Sequence, residues 1–208
     1  MKKTLLITLA FTFWTALGTA QETNVPMKAE DVSPLLISEE VPDKQLKDIE
    51  GNTVSLKQLV KGENTIIVFY RGGWCPYCNR QLSGLGAISS DLIAKGYQIL
   101  AISPDRPEEL QKSMEKHDLN YTLLSDATME VARAFGISFK VSDGTVKKYK
   151  TFGINLEEAS GEAHHELPVP SVFFVNAKGE IGFEYVSPNY KQRISPELLK
   201  AAAEQVFN

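Results

Sequence analysis

Residues Thr65 to Tyr70 read TIIVFY, a run with no polar face. A short β-branched and aromatic segment of this kind is suited to the centre of a sheet, where both faces of a strand are covered. Arg71-Gly72-Gly73 breaks it, and from Cys75 onward Leu82, Leu85, Ile88, Leu92 and Ile93 form one apolar stripe that ends at Gly96. The spacing predicts an amphipathic helix. A buried strand running directly into such a helix is half of a βαβ unit and commits the chain to an α/β fold.

The alternation continues. Tyr97 to Ile102 reads as a strand, Pro107 to about His117 as a helix opened by proline, Tyr121 to Leu124 as a strand and Met129 to Phe135 as a helix. Val172 to Asn176 and Ile181 to Val186 are strands joined by the turn Ala177-Lys178-Gly179-Glu180, and Pro196 starts a last helix through Leu198, Leu199, Ala202 and Val206. Upstream, Gln45 to Ile49 and Thr53 to Leu56 flank Glu50-Gly51-Asn52 as an N-terminal hairpin, with a short helix over Ser55 to Val60. The order predicts a three-layer domain, a mixed central sheet with helices on both faces. Ser138 to Leu167 interrupts it with a polar, weakly periodic stretch. Compact domains seldom keep so long a connection without local structure or a role, so it is expected to be an insertion near the site.

The first twenty residues stand apart from this pattern. Lys2 and Lys3 precede the apolar stretch Leu5 to Leu17, and Gly18-Thr19-Ala20 supplies small residues. This is the pattern of a secretory signal peptide cut after Ala20, predicting a periplasmic or secreted protein. The apolar run is short for a membrane span, and no cysteine follows it to carry a lipid anchor. Residues Gln21 to Asn208 would form one 188-residue domain. The leader holds two of the 22 basic residues and no acid, so the mature net charge is −6. Neither nucleic acid nor an anionic membrane is an expected partner of so acidic a protein.

Cysteine usage carries the chemistry. Cys75 and Cys78 are the only two cysteines in the sequence. Exported proteins that use disulfides as staples close long loops with them, and a two-residue loop restricts the unfolded chain little. A redox dithiol, by contrast, needs its sulfurs one helical turn apart at a helix start. There they share a face within bonding reach, and free N–H groups and the helix dipole favour a thiolate. Pro76 suits the first turn. Cys75 is therefore expected to be the accessible nucleophile and Cys78 the more buried resolving thiol. Arg71 is a candidate for adding positive charge beside the thiolate, Trp74 for shielding the site or meeting a partner, and Tyr77 for tuning the redox potential. Zinc would need His164 and His165 to complete a Cys2His2 set, and no metal or other cofactor is expected. Pro170, before the last central strand, is read as an edge device or a cis turn whose flanking backbone pairs with an extended substrate.

The stretches FYRGGWCPYC, AISPDRPEEL, YTLLSD, VARAFGI and VPSVFFVNAKGEI together resemble the peroxiredoxin-like branch of the alkyl hydroperoxide reductase/thiol-specific antioxidant (AhpC/TSA) family, over about Val41 to Phe207. The resemblance implies a thioredoxin fold, with Val169-Pro170-Ser171 as its cis-proline segment, and Cys75-Pro76-Tyr77-Cys78 is similar to the tetrad of glutaredoxins. Two departures stand out. Aligned from Phe69-Tyr70, the family's peroxidatic position falls on Cys78, its threonine on Cys75, its proline on Arg71 and its activating arginine on Pro170. The buried acid that thioredoxins carry six positions before the first cysteine is Phe69, so another group must move the proton.

The resemblance implies two activities. One is a thiol–disulfide oxidoreductase acting on disulfide-containing proteins, with Cys75 attacking and Cys78 resolving. The alternative is a peroxidase that reduces hydrogen peroxide or organic hydroperoxides and draws electrons from a thioredoxin-like or other thiol donor. The missing threonine and arginine tilt the sequence toward the first.

Overall fold

The computed structural model describes residues 25–117 and 119–207, so the proposed leader lies outside the described residues. Strands β1 (Gln45–Lys47) and β2 (Thr53–Ser55) form the expected hairpin, and Ser55 caps the short α1 (Leu56–Leu59). The apolar run becomes β3 (Asn64–Phe69), followed by α2 (Pro76–Ala94), β4 (Tyr97–Ser103), α3 (Pro107–His117), β5 (Thr122–Ser125) and α4 (Glu130–Ala134). After a further excursion come β8 (Ser171–Val175), β9 (Ile181–Val186) and α7 (Pro196–Gln205). The seven strands of the main sheet lie in the order β2-β1-β5-β4-β3-β8-β9. β3, β4 and β5 run parallel, while β1, β8 and β9 pair antiparallel with their neighbours, so the sheet is mixed as expected.

Alternation along β3 separates two cores. Ile66, Val68 and Tyr70 face the layer of α2, α3 and α7, packing with Leu82, Leu85, Leu110 and Leu199. Ile67 and Phe69 face α1 and α4, packing with Leu56, Val131 and Phe135. Every residue of β3 after Asn64 is buried, which is why its sequence has no polar face. In α2 the stripe holds at Leu82, Leu85 and Leu92, but Ile93 is 47% exposed. One residue beyond Leu92 turns the side chain about 100° round the helix, off the buried face.

The segment Ser138 to Leu167 is an insertion with its own structure. It contains β6 (Ser138–Lys140), α5 (Asp143–Thr151), α6 (Leu156–Ser160) and β7 (Glu166–Pro168), with β6 and β7 paired as a separate ribbon. Ser142 and Asn155 cap its two helices. Val141, Val146, Leu156 and Leu167 form a small core of their own, against which Trp74 packs. The bidentate pair of Arg133 with buried Glu166 (2.8 and 3.1 Å) ties the ribbon to α4. Short helices with small buried faces explain why the stretch looks aperiodic in sequence.

Candidate active site

The chain leaves β3, turns through Gly72 at φ 137°, and enters α2 at Cys75, the N-cap residue. Pro76 occupies the first helical position, where its missing N–H costs nothing. Gly72 is required here, because a Cβ would collide with the Trp74 indole nitrogen and stand 2.6 Å from Asp105 Oδ1. The loop is pinned from below by Asp105 Oδ2, which accepts from the Gly73 N–H at 2.7 Å. Cys75 and Cys78 are both free thiols.

The two sulfurs have opposite electrostatics. A hydrogen bond from the Cys78 thiol, helped by the Cys78 and Tyr77 N–H groups and by the Arg71 charge, brings Cys75 down to about 5 against the opposing effect of burial. Burial, and then the neighbouring Cys75, push Cys78 up. At neutral pH the pair is a thiolate held by a thiol. The expected accessibility of Cys75 is corrected. Cys75 is only 2% exposed and Cys78 fully buried, because the N-cap packs into the core layer with Trp74 and Tyr77 against it.

Arg71 is not a solvated surface residue. It is 3% exposed, and its guanidinium lies 4.4 Å from the Tyr190 ring centroid and 5.1 Å from that of Trp74, with Nη2 donating to the Tyr149 hydroxyl. Three aromatic faces and one hydroxyl hold the cation where carboxylates would neutralise it. Its Nε has no hydrogen-bond partner among the described residues. Tyr77 meets Tyr190 edge to face at 5.6 Å, closing the other side of the site. Trp74 bridges the site and the insertion through Tyr149, 5.8 Å away.

Two residues were not legible in the sequence. Arg193, from the loop before α7, donates through Nη2 to Cys78 Sγ at 3.4 Å, matching the Arg71 backbone N–H on the same sulfur at 3.4 Å. Nothing in Lys191-Gln192-Arg193 marks it, since its role depends on α7 packing beside α2. Asp105 lies 1% exposed under the active-site loop. Its position after a buried strand, in Ser-Pro-Asp, is the one available hint.

Pro170 departs from expectation. No peptide bond among the described residues is cis, and Val169–Pro170 is trans. The chain here runs on from β7 into β8 without a tight turn: Val169 N–H donates to Ile137 O (2.8 Å) and Pro170 O accepts from Ser187 N–H (3.0 Å). Pro170 is buried and its flanking backbone is already paired, so it offers no edge to an extended peptide. The histidines serve the insertion. His164 Nε2 meets Ala127 O at 2.7 Å and its Nδ1 accepts from the Glu166 N–H, while His165 pairs with Glu157 at 2.7 Å. Neither joins the cysteines.

Residues 37–183, more than half of the chain, match the AhpC/TSA family. The chain belongs to this family. Peroxiredoxin Bcp of Escherichia coli K12 is 35% identical over 112 residues, 54% of this chain. The chain spans about two thirds (66%) of that relative's length. Reduced Prx3 of Vibrio vulnificus superposes with a TM-score of 0.68 over 82% of this chain and 99% of its own, at 16% identity. The peroxidoxin BcpB structure of Mycobacterium tuberculosis gives 0.61 over 80% and 92%, at 19% identity. The mixed thioredoxin-like fold expected from the sequence is thus shared with known peroxiredoxins, and the family member is an oxidoreductase.

Proposed function

We propose that this protein is an exported thiol peroxidase that reduces hydrogen peroxide or organic hydroperoxides through Cys75 and Cys78, with electrons from a thioredoxin-like donor. The observation that carries the reading is the activated Cys75 thiolate beside a proton-bearing Cys78 in a peroxiredoxin body. Cys75 S⁻ attacks one peroxide oxygen, the O–O bond breaks, and the sulfur becomes a sulfenic acid while an alkoxide or hydroxide leaves and takes a proton. The Cys78 thiol then condenses with the sulfenic acid, forming the S–S bond and releasing water. A donor dithiol reduces the disulfide and restores thiolate and thiol.

The absent threonine and arginine weighed against this chemistry in the sequence. Two arginines at other positions support it as substitutes. Arg71 and Arg193 bring two cations to the pair, and Nε of Arg71 and both Nε and Nη1 of Arg193 have no hydrogen-bond partner among the described residues. Preorganised donors of this kind stabilise charge developing in the transition state. The site also favours a second reading, a thiol–disulfide oxidoreductase, because Cys75 caps a helix with its partner one turn inside. A coupled assay separates the two. Turnover of hydrogen peroxide with reduced thioredoxin, and loss of most of it in Arg71→Met and Arg193→Met, support the peroxidase. Reduction of a protein disulfide with no peroxide turnover refutes it.

A further inference from the structure

Asp105 is a buried carboxylic acid that nothing above employs beyond its bond to Gly73. One oxygen pins the active-site loop. The other, Oδ1, is buried and has no hydrogen-bond partner among the described residues. Yet the residue is not sealed off. It lines a polar cavity of about 350 Å³, open to the surface, between α3 and the insertion, and Gly73 and Trp74 form the cavity wall toward Cys75. A buried acid with a spare oxygen, bonded to the loop that leads into Cys75 and lining a polar opening, is placed to exchange protons with the active-site loop and with solvent.

The groups around it act in a definite direction. Burial pushes Asp105 up to about 7; the Gly73 hydrogen bond opposes this, and the charges of Glu109 and Cys75 add to the rise. Ser103, beneath, acts on both Asp105 and the buried Tyr70 hydroxyl, and Tyr70 in turn feels Asp105 and Cys78. Lys112, Lys116 and Glu158 line the cavity from α3 and α6, so cations and an acid share its rim. The coupling to Cys75 has a mechanistic consequence. Burial is the main cause that favours the protonated acid, and while Cys75 is a thiolate its negative charge adds to it. Once the sulfur is a sulfenic acid or a disulfide, that charge is gone and Asp105 becomes the stronger acid.

We propose that Asp105 is the proton store of the cycle: it gives its proton when Cys75 is oxidised and regains one when the pair is reduced. The balance closes. Thiolate, thiol, peroxide and one proton become disulfide, alcohol (or water, from hydrogen peroxide) and water, and Asp105 supplies that proton to the departing oxygen. Reduction of the disulfide by a donor dithiol yields thiolate, thiol and one released proton, which Asp105 takes back. The proposal rests on the peroxidase reading for its leaving group but not for its proton.

The test compares wild type with Asp105→Asn, which keeps an oxygen for the Gly73 N–H. Infrared difference spectra between the dithiol and disulfide forms, prepared with a small-molecule disulfide at pH 6, are expected to show loss of a carboxylic-acid carbonyl band in wild type and no such band in the variant. Single-turnover oxidation by hydrogen peroxide is expected to slow on the order of 10²-fold in the variant, the usual worth of a general acid. Wild type is expected to show a limb near 7 in its pH profile, and the variant should lack it. A merely structural Asp105 would leave that limb in place. A wild-type carbonyl band unchanged by oxidation, or a variant with the wild-type pH profile, overturns the proposal. If Asp105→Asn fails to fold, the wild-type spectra alone decide it. If wild type fails to react with peroxide, the peroxidase reading falls while the infrared result still judges Asp105.

Discussion

Replacing Cys78 by alanine and by serine isolates the strongest influence on the active-site thiolate. The Cys78 thiol hydrogen bond is the largest cause of the low Cys75 value of about 5. A hydrogen bond to a charged group contributes about 1.5–3 kcal/mol. At 1.36 kcal/mol per unit, its loss in Cys78→Ala should raise Cys75 by about 1–2 units. Cys75 would then titrate near 6–7, and its thiolate fraction at pH 7 would drop from about 99% to about one half to nine tenths. Cys78→Ser retains an O–H donor in the same place and should leave Cys75 near 5. The assay is the rate of iodoacetamide alkylation against pH, paired with the ultraviolet absorbance of the thiolate, on both single-cysteine proteins. Equal titration midpoints in the two variants would refute the argument that the thiol pair itself, rather than the helix start and Arg71, sets the thiolate.

Other outcomes follow from the same geometry. Because Cys75 is depressed in the folded protein, its thiolate stabilises the reduced form fully above about pH 8.5, the unfolded thiol range. That contribution should fade as pH falls through about 5, so the melting temperature of the reduced protein relative to Cys75→Ser should fall over that window. Gly72→Ala forces a Cβ into Trp74 and Asp105 at a φ of 137°, and denaturant unfolding should show a loss of about 2 kcal/mol or more together with a slower Cys75. Glu166→Ala removes a 7%-exposed carboxylate and leaves the 27%-exposed Arg133 without its partner, and should cost about 2–4 kcal/mol by the same measurement. Limited proteolysis should then cut first within 141–165.

How far the sequence could be read depended on how local the cause was. β3, α2, α3 and the two hairpins are local events, marked by TIIVFY, the Leu82–Leu85–Leu92 stripe, Pro107 and the Asn176–Glu180 turn, and they appear where the residues put them. Cys75 at a helix start was equally plain, because the spacing and Pro76 carry it. The insertion was visible as a break in pattern, but not its helices, whose buried faces consist of one or two residues each. What stayed hidden depends on distant packing. Arg193 reaches Cys78 across a separation of 115 residues, and Tyr149 meets Arg71 across 78. Burial of Cys75 is likewise set by the core layer it packs into, built from β3, α2 and α3, and not by the spacing of the motif alone. Pro170 misled for the opposite reason. A proline before a strand is a local mark with two outcomes, and here the peptide is trans with its flanking backbone paired to Ile137 and Ser187, both remote in sequence.

The most direct test is a rapid-quench reaction of the reduced protein with one equivalent of hydrogen peroxide, followed by mass spectrometry with a sulfenic-acid trap. The account predicts an intramolecular Cys75–Cys78 disulfide in wild type, a trapped sulfenic acid on Cys75 in Cys78→Ser, and no fast reaction in Cys75→Ser. Fast peroxide consumption by Cys75→Ser, with the sulfenic acid on Cys78, would contradict it and give the first attack to the buried sulfur instead.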